Sequence, residues 1–351
     1  MRIYEENGVT FLEMLWPNNF HVHWREIEQL MYTLLHSARQ FGYVMGMPNT
    51  KEPLTNMSRV NAYYCAIESV IQTSYFKPYV ALYLTDDTTE DDIREAKESG
   101  IVLVIKWYSK GTTTNSGSGV TNIIKVWHIL AYMEEHDVPL SVHGEVTDPR
   151  VGLYDRERVF VDTTLSDIHE AFPRLRIILE HVSTKEGVQF VQSTPANVVT
   201  TITPHHMLCN CNDVYMRPSG NCYPVINSPA DQEAIIAFAI SGDPKCFLGT
   251  DSAPHPDYLK FCDGGYGGCF VEKNATELFM EAFERAGALN MIEGPASFNG
   301  SDFHGLSRNT EKVLFMREPH KIVDRVQIGP GPDMWCTPFM AGETLQWQLL
   351  A

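Results

Sequence analysis

IVLVIKWY, residues 101–108, is a run of mostly β-branched and aromatic side chains with one lysine, Lys106, close to its end. A continuous apolar run of this length is typical of a strand that is buried on both faces of a parallel sheet. Barrels built from such strands carry their chemistry at the carboxyl ends of the strands. The position of Lys106 therefore predicts a functional site at the end of a barrel strand.

Other apolar runs along the chain also end in polar residues, and amphipathic helical patterns follow most of them. The helical patterns include residues 27–40, 60–72, 89–99, 121–136 and 162–172. Strand–helix alternation implies a parallel sheet, and eight such units imply closure. We therefore predict an α/β fold, a TIM-like (β/α)8 barrel. Its strands are predicted at 20–25, 42–47, 78–84, 101–108, 138–143, 175–181, 197–203 and 245–251.

The predicted domain organisation is a single domain over residues 1–351. The barrel core covers about 18–305, and the tail at about 306–351 forms a C-terminal extension packed on it. Two polar, Gly-rich loops, GTTTNSGSGVT (111–121) and FCDGGYGGCF (261–270), follow predicted strands. Loops at this face of a barrel commonly bind substrate, so we favour a binding role over that of plain linkers.

Composition and charge argue against several classes of partner and location. The formal net charge is −17, with 44 acidic residues against 27 Lys plus Arg. Such a charge argues against a nucleic-acid or anionic-membrane partner. The N-terminal MRIYEENGVTFLEM has no signal-peptide pattern, and no apolar run approaches the length of a membrane span. Eight scattered cysteines without a disulfide-framework spacing favour free thiols and a cytoplasmic location.

His21, His23 and Arg25 share one face of the first predicted strand, because side chains alternate along a strand. Two histidines at this spacing can bind one metal ion, although they can also be ordinary strand residues. Lys106 has a similar pair of interpretations. A buried lysine has a lowered pKa and can react with CO2 to form a carbamate that bridges two ions. Alternatively, it extends its amine from a strand end into water.

His143, His181 and Asp251 end three further predicted strands. The two histidines can bind a second ion, and the aspartate can bind metal and accept a proton from the attacking water. Taken singly, each is explained by a structural histidine or a helix-capping aspartate. We interpret His205 and His206 as structural residues. Cys209 and Cys211 have a possible metal-ligand spacing, but we favour free thiols there.

Longer motifs show that the chain resembles the dihydroorotases of the compact class II form, within the amidohydrolase superfamily. The resemblance covers nearly the whole chain. The most specific stretches are KWYSKGTTTNSGSGVTN (106–122), PLSVHGEVTD (139–148), ILEHVSTKEG (178–187), VVTTITPHHM (198–207), FLGTDSAPH (247–255), GGCF (267–270) and PFMAGET (338–344).

The resemblance implies a site with two Zn2+ ions and a small cyclic substrate. Lys106 would be carboxylated and bridge the ions, a hydroxide between them would be the nucleophile, and Asp251 would be the general acid and base. The implied metal ligands are His21, His23, Lys106, His143, His181 and Asp251. The implied substrate contacts are Arg25, Asn49, Thr113, Thr114, His143, Tyr223, His255 and Gly267.

The implied reaction is the reversible cyclisation of N-carbamoyl-L-aspartate to L-dihydroorotate in pyrimidine biosynthesis, by a homodimer. Two alternatives stay open. One is a hydantoinase or dihydropyrimidinase, which would share the metals but would not need Arg25 and Asn49. The other is a catalytically silent homologue that acts as an assembly subunit. The chain departs from the family pattern at Asn18–Phe20, Ser109–Gly111 and Ser219, and none of these residues is a predicted ligand.

Overall fold

The computed structural model describes residues 1–71 and 73–350. Strands are numbered here in chain order. They are β1 (Arg2–Glu6), β2 (Val9–Leu15), β3 (Asn19–Val22), β4 (Tyr43–Gly46), β5 (Lys77–Tyr83), β6 (Val102–Trp107), β7 (Leu140–Val142), β8 (Ile177–Leu179), β9 (Val198–Ile202), β10 (Cys246–Leu248), β11 (Lys312–Met316), β12 (His320–Lys321), β13 (Val326–Gln327), β14 (Trp335–Cys336), β15 (Thr344–Leu345) and β16 (Gln348–Leu350).

Strands β3 to β10 form one parallel sheet in which chain neighbours are also spatial neighbours. The sheet closes where β3 meets the segment after β10. Val22 and Ser252 form a parallel bridge there, and the Asp251 amide donates to the His21 carbonyl at 2.9 Å. All eight predicted strand segments coincide with these strands. The prediction of a TIM-like (β/α)8 barrel is therefore confirmed.

Helices follow most barrel strands and pack outside them. The α-helices are α1 (Leu30–Gln40), α2 (Met57–Val70), α3 (Glu90–Glu98), α4 (Trp127–Glu135), α5 (Arg156–Phe160), α6 (Ser166–Ala171), α7 (Lys185–Ser193), α8 (Pro204–Leu208), α9 (Cys211–Tyr215), α10 (Pro229–Ala239), α11 (Asp257–Lys260), α12 (Ala275–Arg285) and α13 (Asn299–His304). Short 3-10 turns lie at 27–29, 123–126, 153–155, 218–220, 272–274 and 289–291, and π-helical turns at 161–165 and 294–298. None of these helices combines the length and apolar character that crossing a bilayer requires.

Two helices have boundaries that differ from the predictions. The helix predicted at 60–72 begins earlier, since the Asn56 side chain caps it by accepting from the Arg59 amide, and it ends at Val70. Residue 72 lies outside the described residues, as does residue 351 at the end of the predicted extension. The helix predicted at 162–172 begins at Arg156, because a π-helical turn joins α5 to α6 without a break.

A second sheet, absent from the predictions, joins the two ends of the chain. Its order is β1-β2-β11-β16, and every pair is antiparallel. The tail also contains the short pairs β12–β15 and β13–β14. The segment after residue 305 is thus hydrogen-bonded to the N-terminal hairpin as well as packed on the barrel.

The barrel interior holds an apolar layer beneath its carboxyl end. Val104, Ile178, Val199 and Phe247 point into this layer and are almost completely buried. Because side chains alternate along a strand, residues two positions further on face the same interior. Val104 is followed in this way by Lys106, and Ile178 by Glu180. The interior therefore changes from apolar to charged within two residues of a strand.

Candidate active site

His21, His23 and Asp251 meet at the carboxyl end of the barrel. One Asp251 carboxylate oxygen, Oδ1, lies 3.0 Å from His23 Nε2 and 3.3 Å from His21 Nε2. The three side chains could ligate one ion, because one ligand atom of each lies within 4.8 Å of the others. The H-x-H pair at the end of β3 and the aspartate after β10 come together because these two segments close the barrel.

Lys106, His143 and His181 surround the same point from the neighbouring strands β6, β7 and β8. The His181 ring is 5.0 Å from that of His21 and 4.8 Å from that of His143, measured between ring centroids. Lys106 Nζ lies 5.1 Å from the centroid of the Tyr108 ring. All six residues predicted as metal ligands thus meet at one end of the barrel.

The polar atoms of this cluster fit a bound cation. His21 Nε2, Lys106 Nζ and His181 Nδ1 are buried and have no hydrogen-bond partner among the described residues. Buried polar atoms are normally paired, since leaving one without a partner costs about 1–3 kcal/mol. Imidazole nitrogens and carboxylate oxygens at this spacing are typical zinc donors. The donor set therefore fits a metal centre.

Burial dominates the electrostatics of the cluster. It lowers the pKa of Lys106 to about 8, despite the opposing fields of Glu180 and Asp251. Burial also lowers the pKa of His181 well below its usual range. A neutral amine and a neutral imidazole are the forms that react with CO2 and bind metal, respectively.

The backbone is strained at three predicted site residues. Arg25, His181 and Asp251 adopt φ angles of 70°, 42° and 44°, in the left-handed region that non-glycine residues seldom occupy. Such strain persists only where the surroundings impose it, and it concentrates at functional sites. All three residues lie two or three positions after the end of a barrel strand, and their side chains line the barrel mouth.

Gly249 makes the close approach at the barrel seam possible. A Cβ atom at this position would lie 2.8 Å from Thr201 Cβ and 2.9 Å from His21 Cβ. Both contacts are shorter than real Cβ contacts. Only glycine allows β10 to lie this close to the strand that carries the H-x-H pair.

A small cavity opens above the cluster. Its lining consists of His21, His23, Arg25, Asn49, Tyr108, Thr113, Thr114, His143, His181, Tyr223, Asp251, Ala253, Gly267 and Gly268. This set contains every predicted site residue except Lys106 and His255. Lys106 is completely buried, and His255 lies behind Arg25.

Arg25 is held in the cavity wall by two fixed contacts. Its Nε donates to the Pro254 carbonyl at 2.8 Å, and its Nη2 lies 2.8 Å from His255 Nε2. Burial and the Arg25 charge lower the pKa of His255 well below its usual range, so His255 is neutral and accepts from the guanidinium. Within the described residues no other hydrogen bond engages the Arg25 side chain, so its remaining donors are available to an anion.

The loop with Thr113 and Thr114 contacts Asn49 across the cavity. Asn49 Nδ2 donates to the Thr114 carbonyl at 3.0 Å, and Asn115 Nδ2 donates to the Asn49 carbonyl at 3.0 Å. The Tyr108 hydroxyl donates to Asn49 Oδ1 at 3.1 Å. The structure therefore shows this loop closed against Asn49.

On the opposite wall of the cavity, Gly267 lies against Tyr223, whose ring would be 2.5 Å from an added Cβ.

Sequence reasoning missed two buried acids beside the cluster. Glu180 Oε2 lies 2.8 Å from His21 Nδ1, and its carboxylate also accepts from Ser141 and Thr201. Glu145 Oε2 lies 2.7 Å from His143 Nε2. Glu180 precedes His181 in the motif LEH, and Glu145 follows His143 in the motif HGE. A charged residue at the end of an apolar run was the sequence signal that could have identified both acids.

The departure at Asn18–Phe20 is accommodated by a buried network. Asn19 donates to Thr250 Oγ1 at 2.8 Å and to Glu272 Oε1 at 3.1 Å. Its own Oδ1 accepts from the backbone amides of His21 and Thr250. Asn19 thus ties the first strand to the last one beside both H-x-H and Asp251.

His205 and His206, which were interpreted as structural, are buried on α8 and do not line the cavity. His206 Nδ1 lies 2.7 Å from the Thr203 hydroxyl. All eight cysteines lie within the described residues and carry free thiols, including Cys209 and Cys211. These positions agree with the expectation of unpaired cysteines.

Comparison with known proteins assigns the family. The chain is 43% identical to the dihydroorotase of Picosynechococcus sp. over 336 residues, which is 95% of this chain and 96% of the relative. It is 43% identical to the dihydroorotase of Pseudomonas aeruginosa, over 97% of this chain and 98% of the relative. The chain belongs to the dihydroorotase family. No family model matches it.

Solved structures agree with this assignment. The dihydroorotase of Saccharomyces cerevisiae, solved in complex with 5-fluoroorotic acid, matches with a TM-score of 0.87 and 28% identity, over 97% of this chain and 98% of that one. The L-hydantoinase of Arthrobacter aurescens matches with a TM-score of 0.80 but only 12% identity, over 97% and 83% of the two chains. The hydantoinase likeness shows the barrel fold alone. Family membership makes this protein a cyclic amide hydrolase.

Proposed function

We propose that this protein is a zinc-dependent dihydroorotase, which interconverts N-carbamoyl-L-aspartate and L-dihydroorotate in de novo pyrimidine biosynthesis. The observation that carries the proposal is that one cavity contains both the His21–His23–Asp251 cluster and the side chains of Arg25 and Asn49. The cluster suits amide hydrolysis, and the buried guanidinium suits a carboxylate on the substrate. The name shared by the relatives with 43% identity supports the same substrate.

The proposed ligands divide between two ions. His21, His23 and Asp251 would hold the first ion, and His143 and His181 the second. The side chain of Lys106 would bridge them after its neutral amine adds to CO2, which forms a carbamate and releases one proton. The burial and lowered pKa of Lys106 support this step. Bound Zn2+ would supply a nucleophilic water at neutral pH and polarise the scissile carbonyl.

Asp251 is the proposed proton carrier. Its carboxylate would accept the proton of the attacking water and then donate it to the leaving ring nitrogen. Close contacts with His21 and His23 hold the pKa of Asp251 well below the usual range in spite of burial, so Asp251 starts as a base. In the ring-closing direction the same oxygen would remove a proton from the carbamoyl nitrogen.

Recognition of the substrate carboxylate is proposed for Arg25, Asn49 and His255, and His255 also contacts the Arg25 guanidinium. Arg25 can pair with a carboxylate through two parallel hydrogen bonds. Backbone groups at Tyr223 and Gly267 would hold the ring. Thr113 and Thr114 would cover it, because their loop is already hydrogen-bonded to Asn49. A covered site excludes water other than the nucleophile.

The deciding experiment measures L-dihydroorotate hydrolysis by purified, Zn-replete protein, followed by the loss of ultraviolet absorbance. We expect turnover by the native chain and none above background by Lys106→Ala. Lys312→Ala is the matched control, because Lys312 is exposed on β11 and pairs with Glu13. Absence of turnover by fully metallated native protein, with turnover of hydantoin or dihydropyrimidine instead, would overturn the substrate assignment.

Arg25→Met separates the two substrate classes within one protein. We expect it to abolish turnover of dihydroorotate, because the substrate carboxylate loses its paired donors. A hydantoinase would keep most of its activity, since its substrate needs no such carboxylate contact. Zinc content measured on the same sample shows whether the metal centre survives the substitution.

Assembly and location are also part of the proposal. We propose that the whole chain forms one domain and that the enzyme is a cytoplasmic homodimer, as the resemblance implies. Met31 and Leu35 on α1 are apolar and more than half exposed, which supports a covered surface in an oligomer. Light scattering after size-exclusion chromatography measures the mass, and a monomer at micromolar concentration would contradict the dimer.

A further inference from the structure

A second cluster of potential metal ligands lies outside the candidate active site. His205, Cys222 and Cys269 each offer one ligand atom, and these atoms all lie within 4.8 Å of one another. All three side chains are buried, with His205 and Cys269 completely so. Neither the proposed reaction nor the substrate contacts use any of them.

His205 is the observation that points to a ligand. Both of its ring nitrogens are buried and have no hydrogen-bond partner among the described residues. A buried imidazole normally donates one N–H and accepts at the other nitrogen, so a ring with neither bond is rare. Burial, together with the neighbouring His206, lowers the pKa of His205 well below its usual range. The ring is therefore neutral and has a free lone pair.

The surroundings suit a soft cation held by thiolates. Cys222 and Cys269 pack in an apolar cluster with Cys209, Leu278 and Phe339. An isolated charge could not be buried in such a cluster without a partner. Two thiolates, however, neutralise one divalent ion. On binding, each thiol would lose its proton to solvent and His205 would bind as the neutral ring, so no net charge would be buried.

The two cysteine segments are already held in place. The Gly268 amide donates to the Asn221 carbonyl at 2.9 Å, immediately before Cys269 and Cys222. Lys260 Nζ donates to the carbonyls of both Asn221 and Gly268, at 2.9 and 2.6 Å. The Cys222 thiol itself donates to the Pro224 carbonyl at 3.2 Å. Binding would require that thiol to turn only from a neighbouring carbonyl towards the ion.

We propose that His205, Cys222 and Cys269 form a separate structural site that binds one Zn2+ ion through one imidazole nitrogen and two thiolates. Zinc in structural sites takes four ligands, with His₁Cys₃ among the common sets. Cys209 packs in the same apolar cluster and is the fourth ligand to be tested. As a thiolate it would add one negative charge, which the buried Lys260 ammonium beside both cysteine segments would balance. The ion would join α8 to the two segments that carry Tyr223 and Gly267, directly behind one wall of the candidate active site.

Cobalt spectroscopy tests the site without relying on activity. The proposed catalytic centre has only nitrogen and oxygen ligands, so a sulfur-to-cobalt charge-transfer band in the near ultraviolet reports the thiolate site alone. The full chain is refolded with Co2+ after Cys65→Ser and Cys262→Ser remove the two exposed thiols. We expect the band in this background and its loss in the added Cys222→Ser/Cys269→Ser pair. Zinc-loaded samples should differ by about one ion per subunit.

Further variants show which residues hold the ion. Cys246→Ser removes a buried thiol that contacts the carbonyls of Phe238 and Asp243, and it should keep the band. Cys209→Ser should alter the band if that residue is the fourth ligand. His205→Gln keeps both cysteines and should weaken zinc binding at least about tenfold. A background protein without the band, or a mass two hydrogens lower from a Cys222–Cys269 disulfide, would overturn the proposal.

Discussion

The two layers of the barrel interior differ in what they contribute, although the same strands build both. Along β6, Val104 faces an apolar layer and Lys106 faces the candidate metal centre. Along β8, Ile178 and the following Glu180 repeat the change. The lower layer, which contains Val104 and Ile178, is packed like any protein core. The upper layer, which contains Lys106 and Glu180, consists of buried charged groups and nitrogens without hydrogen-bond partners among the described residues.

This difference separates stability from chemistry along a single strand. Apolar burial in the lower layer stabilises the fold by about 25 cal/mol per Å2. The upper layer costs free energy, because its polar groups are buried without complete pairing. Variants in the lower layer should therefore lose stability, and variants in the upper layer should lose activity or metal.

The largest expected effect is that of Asp251→Asn in the upper layer. Asparagine has nearly the same shape but can neither accept the proton of water nor ligate as an anion, so kcat should fall by about 10⁴-fold. The melting temperature of the metal-free protein should change little, because no apolar contact is lost. Steady-state rates of dihydroorotate hydrolysis and thermal denaturation measure the two quantities. A fall in kcat of less than tenfold would exclude Asp251 as the base.

The opposite result is expected for Phe247→Ala in the lower layer. Phe247 is completely buried and lies edge-on against Phe20, with 5.6 Å between ring centroids. Removing the ring should reduce the free energy of unfolding by about 3–5 kcal/mol. Denaturant titration measures this loss, while kcat at a permissive temperature should stay within about threefold. A selective loss of kcat with unchanged stability would contradict the separation of the layers.

Glu180→Gln should have a smaller effect, confined to metal binding. Glu180 contacts His21 Nδ1, and removing such a partner of a metal-ligating histidine lowers metal affinity by about 10–100-fold. Competition with a chelator measures the affinity directly. Glu157→Gln is the matched control, because Glu157 is also buried but contacts Ser183 and Thr184. An equal loss of zinc affinity in both variants would show a general effect of removing buried charge.

The sequence predicted the barrel and the composition of its mouth for a physical reason. A parallel strand buried on both faces must be apolar, so a charged or imidazole side chain at its end stands out in the sequence. Lys106 and Asp251 were found in this way. Thr113 and Tyr223, which lie in loops, could be placed only through the family resemblance.

Other features leave no local signal in the sequence. The terminal sheet depends on β2 pairing with β11, about 300 residues away, and β1 is largely exposed and charged. The His205–Cys222–Cys269 cluster likewise joins three segments without a motif spacing. Both depend on long-range contacts, which a pattern of neighbouring residues does not encode.

The smallest expected effect is that of removing one tyrosine hydroxyl group, which should change KM at the barrel mouth but not in the apolar layer. Tyr108 at the barrel mouth donates to Asn49 at 3.1 Å, whereas Tyr79, lower on β5, packs beside the apolar layer. Losing one neutral hydrogen bond costs about 1 kcal/mol, so Tyr108→Phe should raise KM for dihydroorotate by about fivefold. Tyr79→Phe should leave KM unchanged. Because both substitutions remove a single oxygen, equal KM values would show that the Tyr108 hydroxyl does not position Asn49.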